Sequence, residues 1–276
     1  MAPDMNSQRF GGRLALVTGA GGGIGRATAC ALGSAGARVV CVDRDGRGAG
    51  VTADLARTRG ARAAWPEVAD VSDGAAMERF AERVAETYGV VDLLVNNAGI
   101  GMAGRFLDTS VEDWQRTLGV NLWGVIHGCR LIGRQMAERG QGGHIVTVAS
   151  AAAFQPTRAV PAYATSKAAV LMLSECLRAE FAEFGVGVSV VCPGFVRTSF
   201  ASAMHFAGVP RLEQERLRAL FAGRGCSAEK VAAAVLRSVA RDSAVVTVTA
   251  EARLSRLMSR FTPRLRAAVA RMDPPS

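Results

Sequence analysis

The sequence predicts an α/β fold, a doubly wound parallel sheet of seven strands with helices on both faces. Three observations lead there. Short apolar runs rich in Val, Leu and Ile alternate with segments of helical period along most of the 276 residues, the pattern of repeated βαβ units. The first run passes directly into the glycine-rich stretch TGAGGGIG at 18–25 and then into a helix. An acid, Asp43, closes the second run 18 residues beyond Gly25. Strand, glycine turn, helix and acid in that order make the opening unit of a Rossmann sheet.

The elements follow in order. Strands are expected at 14–18, 38–43, 63–68, 93–96, 144–149, 187–192 and 245–248. Helices are expected at 24–34, 46–59, 73–88, 111–139, 162–184 and 228–241. Ser72 and Ser227 stand where N-caps belong, and Gly36, Gly60, Gly89, Gly140 and Gly185 stand near helix C-termini, where a left-handed residue ends the helix. Pro66 lacks the N–H that a ladder needs, so the third strand is an edge. That agrees with the strand order 3-2-1-4-5-6-7. Residues 1–12 read as a flexible N-terminus and 13–250 as one domain. The long connection at 193–226 carries Phe195, Phe200, Met204, Phe206, Val209, Leu217, Leu220 and Phe221, and reads as a substrate loop that covers something apolar.

Composition narrows the function classes. The formal net charge is +9, but residues 1–210 hold 20 basic and 18 acidic side chains, whereas 211–276 hold 13 and 6. The excess is therefore a property of the C-terminal part. Six cysteines are scattered without a CxxC pair, which points to a reduced, cytoplasmic protein. The first 13 residues hold no apolar core for a signal peptide, and no later run reaches the ~18 apolar residues of a spanning helix. His127, His144 and His205 lie far apart, so no metal site is expected. Nucleic acid is not an expected partner either, because the arginines lack interleaved aromatics for base stacking.

The turn at 18–25 has the chemistry of a phosphate cradle. Gly19 allows the tight turn and Gly23 lets backbone approach a pyrophosphate. Gly25, after Ile24, permits close packing of helix on strand, and the helix N-terminus offers N–H donors. Asp43 stands where an acid accepts hydrogen bonds from an adenosine ribose. Its carboxylate repels a 2′-phosphate, so NAD is expected over NADP. Arg44 leaves NADP open, since a guanidinium can grip that phosphate.

The sequence resembles the short-chain dehydrogenase/reductase family from about Gly12 to Val248. The matching motifs are TGAGGGIG at 18–25, ADV at 69–71, NNAG at 96–99, Asn121 in GVNLWG, Ser150 after IVTVA, YATSK at 163–167 and PGFVRT at 193–198. Ser150 stands 13 residues before Tyr163, and Lys167 four after it. The chain has only two tyrosines and two lysines, Lys167 and Lys230, so the pairing of Tyr163 with Lys167 is conspicuous. At i and i+4 they share a helix face, and an ammonium there lowers a phenol from its reference pKa of about 10 toward working pH.

The resemblance implies catalytic roles for four residues. Ser150 hydrogen-bonds the substrate oxygen, Tyr163 exchanges the hydroxyl proton, Lys167 holds the nicotinamide ribose and Asn121 positions a water in the relay. It also implies that Asp70 and Val71 frame the adenine, that Asn97, Ala98 and Gly99 line the ribose side, and that Pro193, Gly194, Val196 and Thr198 contact the nicotinamide. A homodimer or homotetramer is implied as well. The expected reaction is hydride transfer between a nicotinamide cofactor and a hydrophobic secondary alcohol or ketone, with Met102, Phe106 and Phe154 as further walls of the substrate site. The alternatives are a non-catalytic dinucleotide-binding regulator and a membrane-surface reductase acting on lipid. The segment at 251–276 supports the last of these, because its Leu254, Leu257, Met258, Phe261, Leu265 and Val269 stand at helical spacing among arginines. The expectation is that this stripe packs on its own fold or on a sister subunit.

Overall fold

The structure, a computed structural model, describes residues 9–261. Seven strands run parallel: β1 (Leu14–Thr18), β2 (Arg38–Asp43), β3 (Ala63–Val68), β4 (Leu93–Asn96), β5 (Gly143–Val148), β6 (Val186–Cys192) and β7 (Val245–Thr247). Their spatial order is β3-β2-β1-β4-β5-β6-β7, as expected. β3 is an edge that pairs only with β2, with Pro66 opposite Cys41. The main helices are α1 (Gly23–Ser34), α2 (Gly46–Thr58), α3 (Gly74–Tyr88), α4 (Val111–Leu118), α5 (Gly124–Arg139), α6 (Pro161–Phe181), α7 (Arg211–Arg224), α8 (Ala228–Ala240) and α9 (Ala250–Phe261).

Every residue of β1 is buried, because both faces of the sheet are covered. Ala15 and Val17 point into the core shared with α1, α2 and α8. Leu14 and Leu16 point into the one shared with α3, α5 and α6. Such burial stabilises by roughly 1.5–3 kcal/mol per large aliphatic side chain. The order of the strands also locates the site. Chain connections diverge on either side of β1 and β4, leaving a crevice at the carboxyl ends of the strands.

The structure corrects several expectations. Asp73, not Ser72, caps α3 by accepting the Ala76 N–H at 2.9 Å. Ser72 instead donates its hydroxyl to Asp70 at 2.6 Å, an ionised acceptor that holds it away from the helix. The single helix expected at 111–139 is broken by a π-helical turn at Gly119–Trp123. The connection at 193–226 contains α7, and its His205–Phe206 forms a small parallel ribbon with Met102–Ala103. Phe10 is 2% exposed, so ordered packing begins within the stretch expected to be flexible. Residues 1–8 of that stretch, and the tail beyond Phe261, lie outside the described residues. No described helix is long and apolar enough to cross a membrane.

His144, at the start of β5, is 8% exposed and its Nε2 lies 2.9 Å from Ser189 Oγ. Burial pushes its pKa down to about 4, against a weaker opposing pull from Asp242. Between that value and the unfolded reference of about 6.5, the unfolded chain binds a proton that the folded chain does not. Stability therefore rises with pH across this window and is lost as pH falls through it. We expect His144→Asn to remove about 3 kcal/mol of the stability change between pH 7 and pH 4. Urea denaturation of both proteins at the two pH values checks this, and parallel pH profiles would refute it.

Candidate active site

The crevice holds a cavity of about 670 Å³. At one end lies the glycine-rich turn between β1 and α1. Gly19 has φ +66°, and a β-carbon on it would lie 2.8 Å from the Ala98 α-carbon. Only glycine lets the two loops touch there. A β-carbon on Gly25 would lie 2.1 Å from the Gly19 carbonyl oxygen, so its role is helix packing. Thr18 Oγ1 accepts the N–H groups of Asn97 and Ala98 at 3.0 and 3.1 Å. The Asn97 amide in turn donates to the carbonyls of Thr18 and Gly19. These bonds tie the NNAG segment to the turn. Asp43, at the end of β2, accepts the Gly21 N–H at 2.7 Å and the Asp45 N–H at 2.9 Å, so its carboxylate is fixed over the cradle. The Asp70 carboxyl is held below the usual range by Ser72.

At the other end the carboxyl end of β5 meets the first turns of α6. Ser150 follows β5 and is placed by backbone on both sides: Ala149 N–H donates to Val191 O at 2.8 Å, and Ala151 N–H donates to Pro193 O at 2.7 Å. Pro161 opens α6, where its missing N–H costs nothing, and Tyr163 follows in the first turn. Ser150 Oγ accepts the Ala152 N–H at 3.2 Å, and Ser150 and Tyr163 line the same cavity. Lys167, one turn later, is 4% exposed. Its Nζ donates to Val148 O at 3.0 Å and lies 5.9 Å from the Tyr163 ring centroid.

Burial, not the ammonium, dominates the protonation of this pair, which corrects the expected effect of Lys167. Burial raises the Tyr163 pKa, while the Ser150 hydroxyl opposes it. Burial also lowers Lys167 to about 8.

Ser150, Tyr163 and Lys167 line the cavity together with Gly19, Gly23, Ile24, Asp43, Arg44, Asp70, Val71, Asn97, Ala98, Gly99, Pro193, Gly194, Val196 and Thr198. Asn121 and Gly25 do not. Asn121 is fully buried in the π turn. Its Nδ2 donates to Ile100 O and Ser166 Oγ at 3.0 and 3.1 Å, and its Oδ1 accepts the Ile100 N–H at 2.8 Å. Phe195, Phe200, Met204, Leu217, Leu220 and Phe221 form an apolar wall, whereas Phe206 and Val209 of the same connection do not line the cavity. The other expected walls stand elsewhere. Met102 is buried in the small ribbon, Phe154 is buried in the core, and Phe106 is 64% exposed and stacks edge-on against Trp114.

Glu251 and Ser255 of α9 also line the cavity. Sequence reasoning missed them, because the basic stripe of that segment drew attention to its outer face. Leu254, Leu257 and Phe261 are 58%, 55% and 70% exposed among the described residues.

A glycine cradle, a fixed acid and a Ser–Tyr–Lys cluster thus share one cleft at the strand ends of an α/β protein. The family model of the short chain dehydrogenases matches residues 13–205, and the chain belongs to that family. It is 44% identical over 270 residues to a protein of Mycobacterium tuberculosis named "Probable oxidoreductase EphD", an alignment that takes in 95% of this chain and 45% of the relative. The chain thus spans about half the length of that relative. It is 40% identical over 191 residues to the D-threitol dehydrogenase of Mycolicibacterium smegmatis, covering 69% of this chain and 72% of that one. Among solved structures it resembles a short chain dehydrogenase/reductase from Burkholderia phymatum in complex with NAD, with a TM-score of 0.86, 32% identity, and coverage of 97% and 99% of the two chains.

The lowered Lys167 pKa has a consequence for stability. Below pH 8 the ammonium is charged in both folded and unfolded chains, and the folded chain bears a desolvation cost of about 3 kcal/mol. That cost fades as pH rises from about 8 to the unfolded value near 10.5. Lys167→Met should therefore raise the melting temperature of the cofactor-free protein at pH 7, with the gain shrinking at higher pH. A melting temperature that falls would show that the bond to Val148 outweighs burial.

Proposed function

We propose that the protein interconverts a hydrophobic secondary alcohol and its ketone with a nicotinamide dinucleotide as redox partner, NAD in preference to NADP. The meeting of Ser150, Tyr163 and a buried Lys167 in the same cavity as the glycine cradle carries this reading. Ser150 orients the substrate oxygen, and Tyr163 exchanges a proton with it. When bound, the nicotinamide ring takes the hydride from the alcohol carbon or returns it to the ketone, and its oxidised, positive form favours the phenolate. Lys167, close to its own pKa near neutrality, holds the ribose hydroxyls and passes the proton outward.

Asn121 is a positioning residue in this scheme. Its Oδ1 and the Lys167 Nζ approach the same face of Gly99, within 3.2 and 3.4 Å of the point a β-carbon there would occupy. A relay water held at that face serves the proton path that the family resemblance implies. The apolar wall excludes bulk water and selects the carbon skeleton.

The preference for NAD rests on the Asp43 carboxylate, whose fixed position repels a 2′-phosphate. The NAD held by the Burkholderia relative supports it, as the name of the threitol dehydrogenase supports an alcohol substrate. The working unit is a cytoplasmic homodimer or homotetramer. A regulator without catalysis has no use for an intact Tyr163–Lys167 pair.

Tyr163→Phe should keep NADH affinity within about twofold while turnover falls by about 10² to 10⁴. Stopped-flow and fluorescence titration read the two quantities separately, and substantial residual turnover at all pH values would refute Tyr163 as the proton donor. In thermal-shift titrations NAD and NADH should stabilise the protein more than NADP and NADPH at equal concentration, following RT ln(1+[L]/Kd). Stabilisation by NADPH alone would overturn the role given to Asp43.

A further inference from the structure

The cavity that holds Ser150 and Tyr163 is lined by two unlike sets of residues. One is apolar, with the Phe221 ring 4.9 Å from that of Phe195 and 6.2 Å from that of Phe200. The other is built by α9, which presents Glu251 and Ser255 to the cavity. At i and i+4 these two share a helix face and form a polar seam about 6 Å long. The helix packs against the 3-10 turn Ala151–Ala153 that follows Ser150. The Glu251 carboxylate lies against Gly194, where a β-carbon would be 2.3 Å from its Oε1 and 2.5 Å from Thr249 Oγ1. The preceding residue, Pro193, accepts the Ala151 N–H at 2.7 Å. One short chain of contacts therefore joins the carboxylate to Ser150.

Building on the alcohol–ketone reading above, we propose that Glu251, with Ser255, binds a second hydroxyl of the substrate, so that the substrate is an uncharged diol, or its hydroxyketone, on an apolar skeleton. An ionised carboxylate only accepts hydrogen bonds, and among the described residues no hydrogen bond or ion pair engages that of Glu251. A hydroxyl beside the reacting carbon supplies the missing donor. The same negative charge repels a substrate that carries a carboxylate of its own. Ala151 and Ala152 of the turn that the helix packs against also line the cavity, and the skeleton rests on the phenylalanines.

The test uses three probes of one skeleton with the full chain: 1-phenyl-1,2-ethanediol, 1-phenylethanol and mandelate. The wild type is expected to favour the diol over the monoalcohol at least tenfold in kcat/KM and to reject mandelate. Glu251→Gln should cut the diol-to-monoalcohol ratio at least fivefold, mainly through KM, with Ser255→Ala acting in the same direction. Glu251→Lys should raise mandelate turnover relative to the diol, a gain that a misfolded variant cannot show. An unchanged ratio in Glu251→Gln overturns the proposal. So does a loss of NADH affinity equal to the loss of turnover on both alcohols, which would assign the carboxylate to the cofactor's carboxamide. A wild type that oxidises neither alcohol with NAD or NADP would instead overturn the alcohol–ketone reading itself.

Discussion

The Lys167 ammonium sits inside the protein and gives a hydrogen bond to the last carbonyl of β5, that of Val148. A charge in such surroundings is stable only if everything around it is held still, and several elements do the holding. α6 sets the height of the lysine relative to Tyr163. β5 supplies the carbonyl and, two residues on, Ser150. The Asn121 amide clamps the Ile100 backbone beside it and reaches Ser166 on α6. The groups to which we assign proton transfer are therefore also the parts that lock the helix to the sheet. The strain of burying the lysine is concentrated where a shift in protonation is useful.

Much of this was legible in the sequence. The β1–turn–α1 unit declared itself because glycine spacing, strand pattern and the acid at Asp43 all pointed to one geometry. Tyr163 and Lys167 stood out because both residue types are scarce in this chain. The strand order followed from Pro66 and the βαβ rhythm. What escaped has equally physical causes. Hydrophobic periodicity reports that a residue is buried, not in which compartment, so Phe154 and Met102 looked like cavity wall and proved to be core. The sign of the Tyr163 shift depends on desolvation, which sequence does not display. Ser72 and Asp73 are adjacent capping residues, and the choice between them turned on a hydrogen bond to Asp70.

The C-terminal helix shows the same limit from another side. Its arginines and exposed leucines suggested an appendage remote from the chemistry. Its Glu251 and Ser255 nevertheless complete the cleft, because β7 ends at the same edge of the sheet as β5 and β6, and the chain leaving it must pass over Gly194. Topology brought these residues to the site, and no local pattern in the segment advertised it. Exposed arginines and cleft-lining residues thus share one helix.

The π turn at Gly119–Trp123 has a consequence for how the molecule tolerates change in length. Each extra residue in a helical turn rotates all that follows by roughly 100°. Because of it, α4 can face α6 while α5, its direct continuation, faces α3 and the sheet. The turn works as a phase shifter between two half-helices with different neighbours. A one-residue deletion there would lengthen no loop and break no strand, yet would put α4 and α5 back in phase. One of them would then present its polar side to the core, and Asn121 would swing off Ile100.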